Sequence, residues 1–298
     1  MKAPIAMDKD ELTELAENPD FISGIYNYCD RWCERCPFTS RCFLYATEQA
    51  DRDLDDPEVH DIRNEKFWRK LHSIFANTGQ MIAEWAAEAG VDLDAIDVTD
   101  EMADHERQMT QAKQHDLSLA AKHYAGMVED WFKEEFATEE EVHHDGAIGS
   151  EPGEEDLTIR DAAEVVRWYQ FFIAVKLFRA LAGGRHSKGE PGDEDELFGA
   201  NLFEVQEVEE EEDVDYDAVL ARADRMDTNG SAKVALIAMD RSLSAWRALQ
   251  ISLPEKTDSI MPMLIELERL RRSTEQSFPH ARDFIRPGLD ESSSEFVS

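Results

Sequence analysis

The sequence predicts an all-α fold: a multi-helix bundle preceded by a cysteine-bearing helical hairpin and interrupted by acidic loops. Three observations predict it. Apolar residues recur at helical spacing through most of the chain. The only stretch that reads as a strand is a short one at Phe203–Val208, and the breaks between periodic segments fall at Pro, Gly or acidic runs. With 42% hydrophobic and 9% aromatic residues in 298, the chain has ample material for a core.

Asp8 to Glu17 reads as a short helix stopped near Pro19. Asp20 can N-cap a second helix running through Ile22, Ile25, Tyr26, Cys29 and Cys33. Pro37 disfavours helical geometry at Cys36, so a new helix starts near Pro37 or Thr39, carries Cys42, Phe43 and Tyr45, and fades in Asp51–Glu58. His60 to Ala89 follows with a stripe of Trp68, Leu71, Phe75, Met81 or Ile82, Trp85 and Ala89, closed by Gly90. A long helix over 100–136 places Leu117, Ala121, Tyr124, Val128 and Trp131 on one face.

After an acidic loop at 138–158, Ile159–Ala182 is apolar in every direction of the helical wheel, which predicts the central helix of a bundle. Gly183-Gly184 ends it, and 185–217 is a second acidic loop. Asp227–Gly230 reads as a turn leading into a helix over Ser231–Ser252, which Pro254 stops. The last helix spans Asp258–Glu275. The expected organisation is a hairpin at 1–56, a bundle at 57–280 and a flexible tail at 281–298, together one compact unit.

The net charge is −35, from 66 acidic and 31 basic residues. Such a chain repels a phosphate backbone, so direct nucleic-acid binding is not expected and any partner is a protein. Much of the excess sits in two windows: 139–156 holds eight acidic residues and 190–217 holds fourteen, with no Lys or Arg in either. No run of about 18 apolar residues occurs, and the N-terminus turns charged before an apolar signal region forms, so the expected location is cytoplasmic, with no membrane contact.

All four cysteines lie within fourteen positions, as Cys29-Asp-Arg-Trp-Cys33-Glu-Arg-Cys36-Pro-Phe-Thr-Ser-Arg-Cys42. Cys29, Cys33 and Cys36 fall at i, i+4 and i+7, one face of a helix, and Cys42 returns across the Pro37 turn. A compact cysteine set in a cytosolic chain points to metal binding more than to a disulfide framework. Four thiolates suit either Zn²⁺ or a [4Fe–4S] cluster, and the absence of a distant second pair favours the cluster.

Trp32-Cys33-Glu34-Arg35-Cys36-Pro37-Phe38-Thr39-Ser40-Arg41-Cys42-Phe43-Leu44-Tyr45-Ala46 resembles the cluster-binding segment of the WhiB-like iron–sulfur regulators. There, two residues separate a cysteine pair, a proline follows, and five residues lead to the last cysteine and an apolar–Tyr–Ala run. The resemblance implies Cys33, Cys36 and Cys42 as cluster ligands. Cys29 as the fourth follows from proximity alone, because the family's first ligand lies much farther upstream. The resemblance spans about fifteen residues. The family's Gly/Trp turn and basic tail are absent, so a role in transcription is not implied. The spacing of Cys29, Cys33 and Cys36 also matches radical-SAM enzymes, but their alternating strands and helices are not in this sequence.

Elsewhere, Glu164, Arg167, Gln170, Lys176 and Arg179 are charged or polar residues on the helix read as buried, with Asp240, Arg241 and Arg247 as possible partners on the next. They form either an ion-pair network or a polar pocket. The expected function is a metal-binding, redox-responsive interaction module. The alternatives are an enzyme using the polar pocket at Glu164, Arg167, Lys176, Asp240 and Arg241, and a zinc-stapled scaffold.

Overall fold

The computed structural model describes residues 9–52, 56–135, 154–183 and 216–290. Eight α-helices and no strand occur among them: α1 (Lys9–Ala16), α2 (Phe43–Arg52), α3 (Glu65–Glu88), α4 (Thr99–Gln114), α5 (Asp116–Glu135), α6 (Glu154–Ala182), α7 (Tyr216–Ser252) and α8 (Thr257–Ser277). The fold is all-α, as expected. The possible strand at 203–208 and most of both acidic loops lie outside the described residues.

The chain divides into two compact units, Met1–Ala103 with Pro287 onward, and Asp104–Arg286. The division therefore falls within α4 rather than near residue 56. The expected tail does not begin at 281 either, because Ala281 and Phe284 are buried and Lys233 donates to the Phe284 carbonyl.

In the first unit, α3 starts where the Asn64 side chain accepts the Lys66 N–H at 2.9 Å. It stops at Gly90, whose φ of 68° is left-handed. Val91 N–H reaches back to the Ala86 carbonyl at 2.8 Å, satisfying an orphan acceptor of the last turn. Gly288 also has a positive φ, and a Cβ there would overlap the Ile22 side chain. Gly288→Ala is therefore expected to destabilise this unit by at least about 1 kcal/mol. Faster hydrogen exchange at the Ile22 amide, with bundle amides unchanged, is the readout.

The second unit is a four-helix bundle in which α5 packs on α6, α6 on α7, α7 on α8, and α8 back on α5. Lys256, just before α8, donates to the Glu135 carbonyl at the end of α5 at 2.9 Å. Arg179 late in α6 pairs with Asp227 early in α7 at 2.5 Å. Neighbours thus run antiparallel, up-down-up-down. The core is aromatic at one level: Trp131 and Trp246 meet edge-on at 4.9 Å between centroids. The Trp246 indole N–H donates to the Tyr124 hydroxyl at 2.9 Å, and that of Trp131 to Ser259 Oγ at 2.9 Å. Burial pushes the Tyr124 phenol well above its ordinary range, so the hydroxyl stays neutral.

Three expected elements differ. The helix over 100–136 is two helices, because His115 interrupts it and its Nδ1 accepts the Leu117 N–H that opens α5. Asp227–Gly230 is not a turn: α7 runs straight through it. The small residues Gly230, Ser231, Ala232 and Ala235 are buried there, and such a surface lets a neighbouring helix approach closely. Finally, α6 is not enclosed. Val166, Tyr169, Ile173, Leu177 and Ala180 face the core, but Trp168, Phe171 and Val175 are exposed. In a ring of four helices each member keeps an outer face.

Candidate metal centre

The cysteine segment is built from turns rather than a helical hairpin. Short 3₁₀ turns occupy Ile25–Asn27, Cys33–Arg35 and Thr39–Arg41, and α2 begins directly after Cys42. The i, i+4, i+7 helix face expected for Cys29, Cys33 and Cys36 is absent, because Arg31 between them has a φ of 59°. A left-handed non-glycine residue cannot continue a right-handed helix.

The segment is closed at its base. Ile22 N–H donates to the Arg41 carbonyl at 3.0 Å, and Arg41 Nε donates to the Asp20 carbonyl at 3.2 Å. Inside it Ile25, Tyr28 and Trp32 are buried. The Arg35 guanidinium lies 4.1 Å over the Trp32 ring. Trp32 is therefore a packing residue rather than an exposed contact.

All four cysteines are free thiols of intermediate burial. Cys29 Sγ donates to the Tyr26 carbonyl at 3.5 Å, and Phe38 N–H donates to Cys36 Sγ at 3.4 Å. Burial pushes the Cys33 thiol up, Glu48 and the neighbouring Cys29 and Cys42 add to the rise, and Arg31 opposes it. Cys29, Cys33 and Cys42 thus share one electrostatic neighbourhood. Among the described residues, however, no group of three or more His, Cys, Asp or Glu side chains is gathered to hold a metal ion. The donor set fits a thiophilic metal in chemistry: four soft sulfurs, with a backbone N–H already directed at one of them.

Sequence reading missed Arg31 and Glu48, which pair at 2.6 Å beside Cys33. Arg31 could have been noticed for its place between two cysteines. Nothing local marks Glu48, which arrives on α2.

The second group of candidates separates. Glu164 and Arg167 are exposed on α6, and Arg167 stacks over Phe132 at 4.4 Å. Only Lys176 is buried, with its ammonium 5.4 Å from the Phe172 centroid. Arg241 is exposed and donates to the Tyr169 hydroxyl at 2.6 Å. Asp240 engages Arg282 at 2.6 Å and Arg271 at 3.9 Å instead. The premise of a buried charged helix thus holds for Lys176 alone.

Asp240 belongs to an ion-pair cluster with Glu268, Arg271, Glu275 and Arg282. The hydrogen-bonding Arg271 guanidinium, helped by Arg272, holds the Glu268 carboxyl down at about 2. Because that value lies below the unfolded one, the cluster stabilises the fold at neutral pH. The contribution is lost as pH falls from about 4.5 through about 2. Glu268→Gln should cost up to about 1 kcal/mol at pH 7, given its partial exposure. Urea titrations at pH 2 should no longer separate the two proteins.

The fold and site together define an all-α protein with a turn-built cysteine loop in one unit and a four-helix bundle in the other. No family model, curated protein or solved structure matches the chain.

Proposed function

We propose that Cys29, Cys33, Cys36 and Cys42 hold a metal centre, with a [4Fe–4S] cluster as the group bound, in a cytoplasmic protein acting as a redox-responsive interaction module. The observation that carries the reading is the concentration of four free thiols in one short, closed loop. A bound cluster would supply one-electron redox chemistry and sensitivity to oxygen. The chain's own part is to direct Phe38 N–H at the Cys36 sulfur and to set local charge through Arg31 and Glu48.

Burial, with Glu48 nearby, pushes the Cys33 thiol up, and a cation bound there would favour its thiolate. The partner is a protein, since the net charge of −35 repels nucleic acid. No helix among the described residues is long and apolar enough to cross a membrane. The enzyme alternative rests on a buried charged helix, and Glu164, Arg167 and Arg241 are exposed.

Iron, zinc and acid-labile sulfide, with a visible spectrum, measured on protein purified without oxygen, test the reading. Matched iron and sulfide that disappear in Cys→Ser variants are expected. One zinc in a colourless protein would make the loop a structural staple, and metal-free protein would overturn the site altogether.

A further inference from the structure

The best apolar face of the first unit points outward. On α3, Trp68, Leu71, Phe75, Thr78, Ile82 and Trp85 follow one another at alternating spacings of three and four, the seam of a coiled coil. Its large members are bare: Trp68 is 54% exposed, Phe75 67%, Ile82 50% and Trp85 62%. The Trp68 indole N–H donates to the Ile62 carbonyl at 2.9 Å, which fixes that ring at the surface. What α3 buries is Lys70 and Ala86. A helix that displays its aromatic seam and covers a lysine is shaped for an occupant on the seam.

We propose that this occupant is α3 of a second copy of the chain, paired antiparallel about a two-fold axis. The seam is self-complementary in that direction alone. Reversing it sets Trp68 against Trp85, Leu71 against Ile82 and Phe75 against Thr78 of the second copy, so bulky residues close both ends and a small one receives each Phe75 near the axis. A parallel pairing would stack like on like, Phe75 on Phe75. A two-fold contact of this kind closes on itself and makes a dimer.

Gly79 supports the same pairing independently. It lies mid-helix, where glycine weakens the helix relative to alanine, and a Cβ built there meets nothing within 4 Å. Nothing inside the chain requires it. A second backbone crossing close to the axis does.

Charge and area fit as well. The flanking positions 67, 72, 74, 79 and 81 carry no carboxylate, lysine or arginine, so the face attracts neither acidic nor basic partners. Three aromatic rings more than half exposed, with the isoleucines beside them, offer on the order of 1,000 Å² over two copies, near the lower bound for specific interfaces. The dimer is therefore one that forms and dissociates with concentration. With a net charge of −35 per copy, added salt should tighten it by screening repulsion. The pairing is independent of what the cysteines bind.

Sedimentation equilibrium of the full chain at low and high salt tests this. The expected result is a monomer–dimer equilibrium that shifts at least tenfold toward dimer at high salt. Gly79→Leu, which keeps the helix but fills the crossing point, should leave only monomer with unchanged helical circular dichroism. Phe75→Lys and Thr78→Glu should each be monomeric alone and recover dimer when mixed, since position 75 faces position 78 only in the antiparallel register. A monomer at every concentration and salt would overturn the proposal. So would a dimer unaffected by Gly79→Leu but abolished by Phe171→Glu on α6, or a monomer that binds lipid vesicles through α3.

Discussion

With the proposed metal centre in place, stripping the metal is expected to unfold the cysteine loop and leave the four-helix bundle standing. The loop's own resources are small. Ile25, Tyr28 and Trp32 are its buried apolar side chains, and its backbone is organised in 3₁₀ turns, whose hydrogen-bond geometry is poorer than that of an α-helix. Full burial of three such side chains contributes about 5–9 kcal/mol, against an ordering cost of about 1–2 kcal/mol for each residue fixed. A thiolate metal site contributes roughly 10 kcal/mol or more of apparent folding free energy at neutral pH. The bundle has no such debt, since its core contains more than a dozen fully buried side chains from Tyr124 to Leu270.

Hydrogen exchange followed by mass spectrometry separates the two units. Chelation, or Cys33→Ser, should abolish protection over 20–52 and preserve it in the bundle helices α5, α6, α7 and α8. Unchanged protection in the loop would mean that it folds without metal.

The second large effect is expected at Trp246, which is fully buried and touches both Trp131 and Phe132. Trp246→Ala removes the ring and leaves the neutral Tyr124 hydroxyl without its indole donor. Cavity formation costs about 3–5 kcal/mol, and loss of the indole hydrogen bond about 1 kcal/mol more, since Ser242 remains beside the Tyr124 hydroxyl. Against a typical total of about 5–15 kcal/mol, the bundle should be close to unfolding at room temperature. Tyr124→Phe is milder, about 1–2 kcal/mol, because it strands only the indole N–H. Denaturant unfolding of Trp246→Phe, of Tyr124→Phe and of the variant carrying both checks the coupling. The double variant should lose less than the sum of its parts, since neither polar group is then left alone. Strict additivity would show that the hydrogen bond contributes nothing.

The bundle was legible in sequence wherever one face decides a helix's position. Leu117, Ala121, Tyr124, Val128 and Trp131 were expected to share a face of α5, and all five are buried. The same logic misread α6, because a wheel apolar in all directions does not say how many neighbours a helix has. At Asp227–Gly230 local turn chemistry pointed one way and tertiary packing another, and burial of small side chains against a neighbouring helix prevailed. The cysteine spacing was read as a helix face, yet a left-handed backbone at Arg31 breaks that geometry, and nothing about an arginine announces it. The cysteines themselves were easy to find. The charge around Cys33 was not, since Glu48 reaches it only through the placement of α2.

Residues 287–290 belong to the same unit as the cysteines, with Gly288 seated against Ile22. This sets an order of events during synthesis. The cysteines leave the ribosome early, but Ile22 must wait for Gly288. At ordinary elongation rates of about 5–20 residues per second, the 246 positions from Cys42 to Gly288 take roughly 10–50 s. Throughout that interval the thiols belong to an unfinished unit, open to oxidants. The bundle, encoded in between, is free to fold first. A nascent chain arrested before residue 287 would therefore carry a folded bundle and a cysteine loop still lacking its final segment.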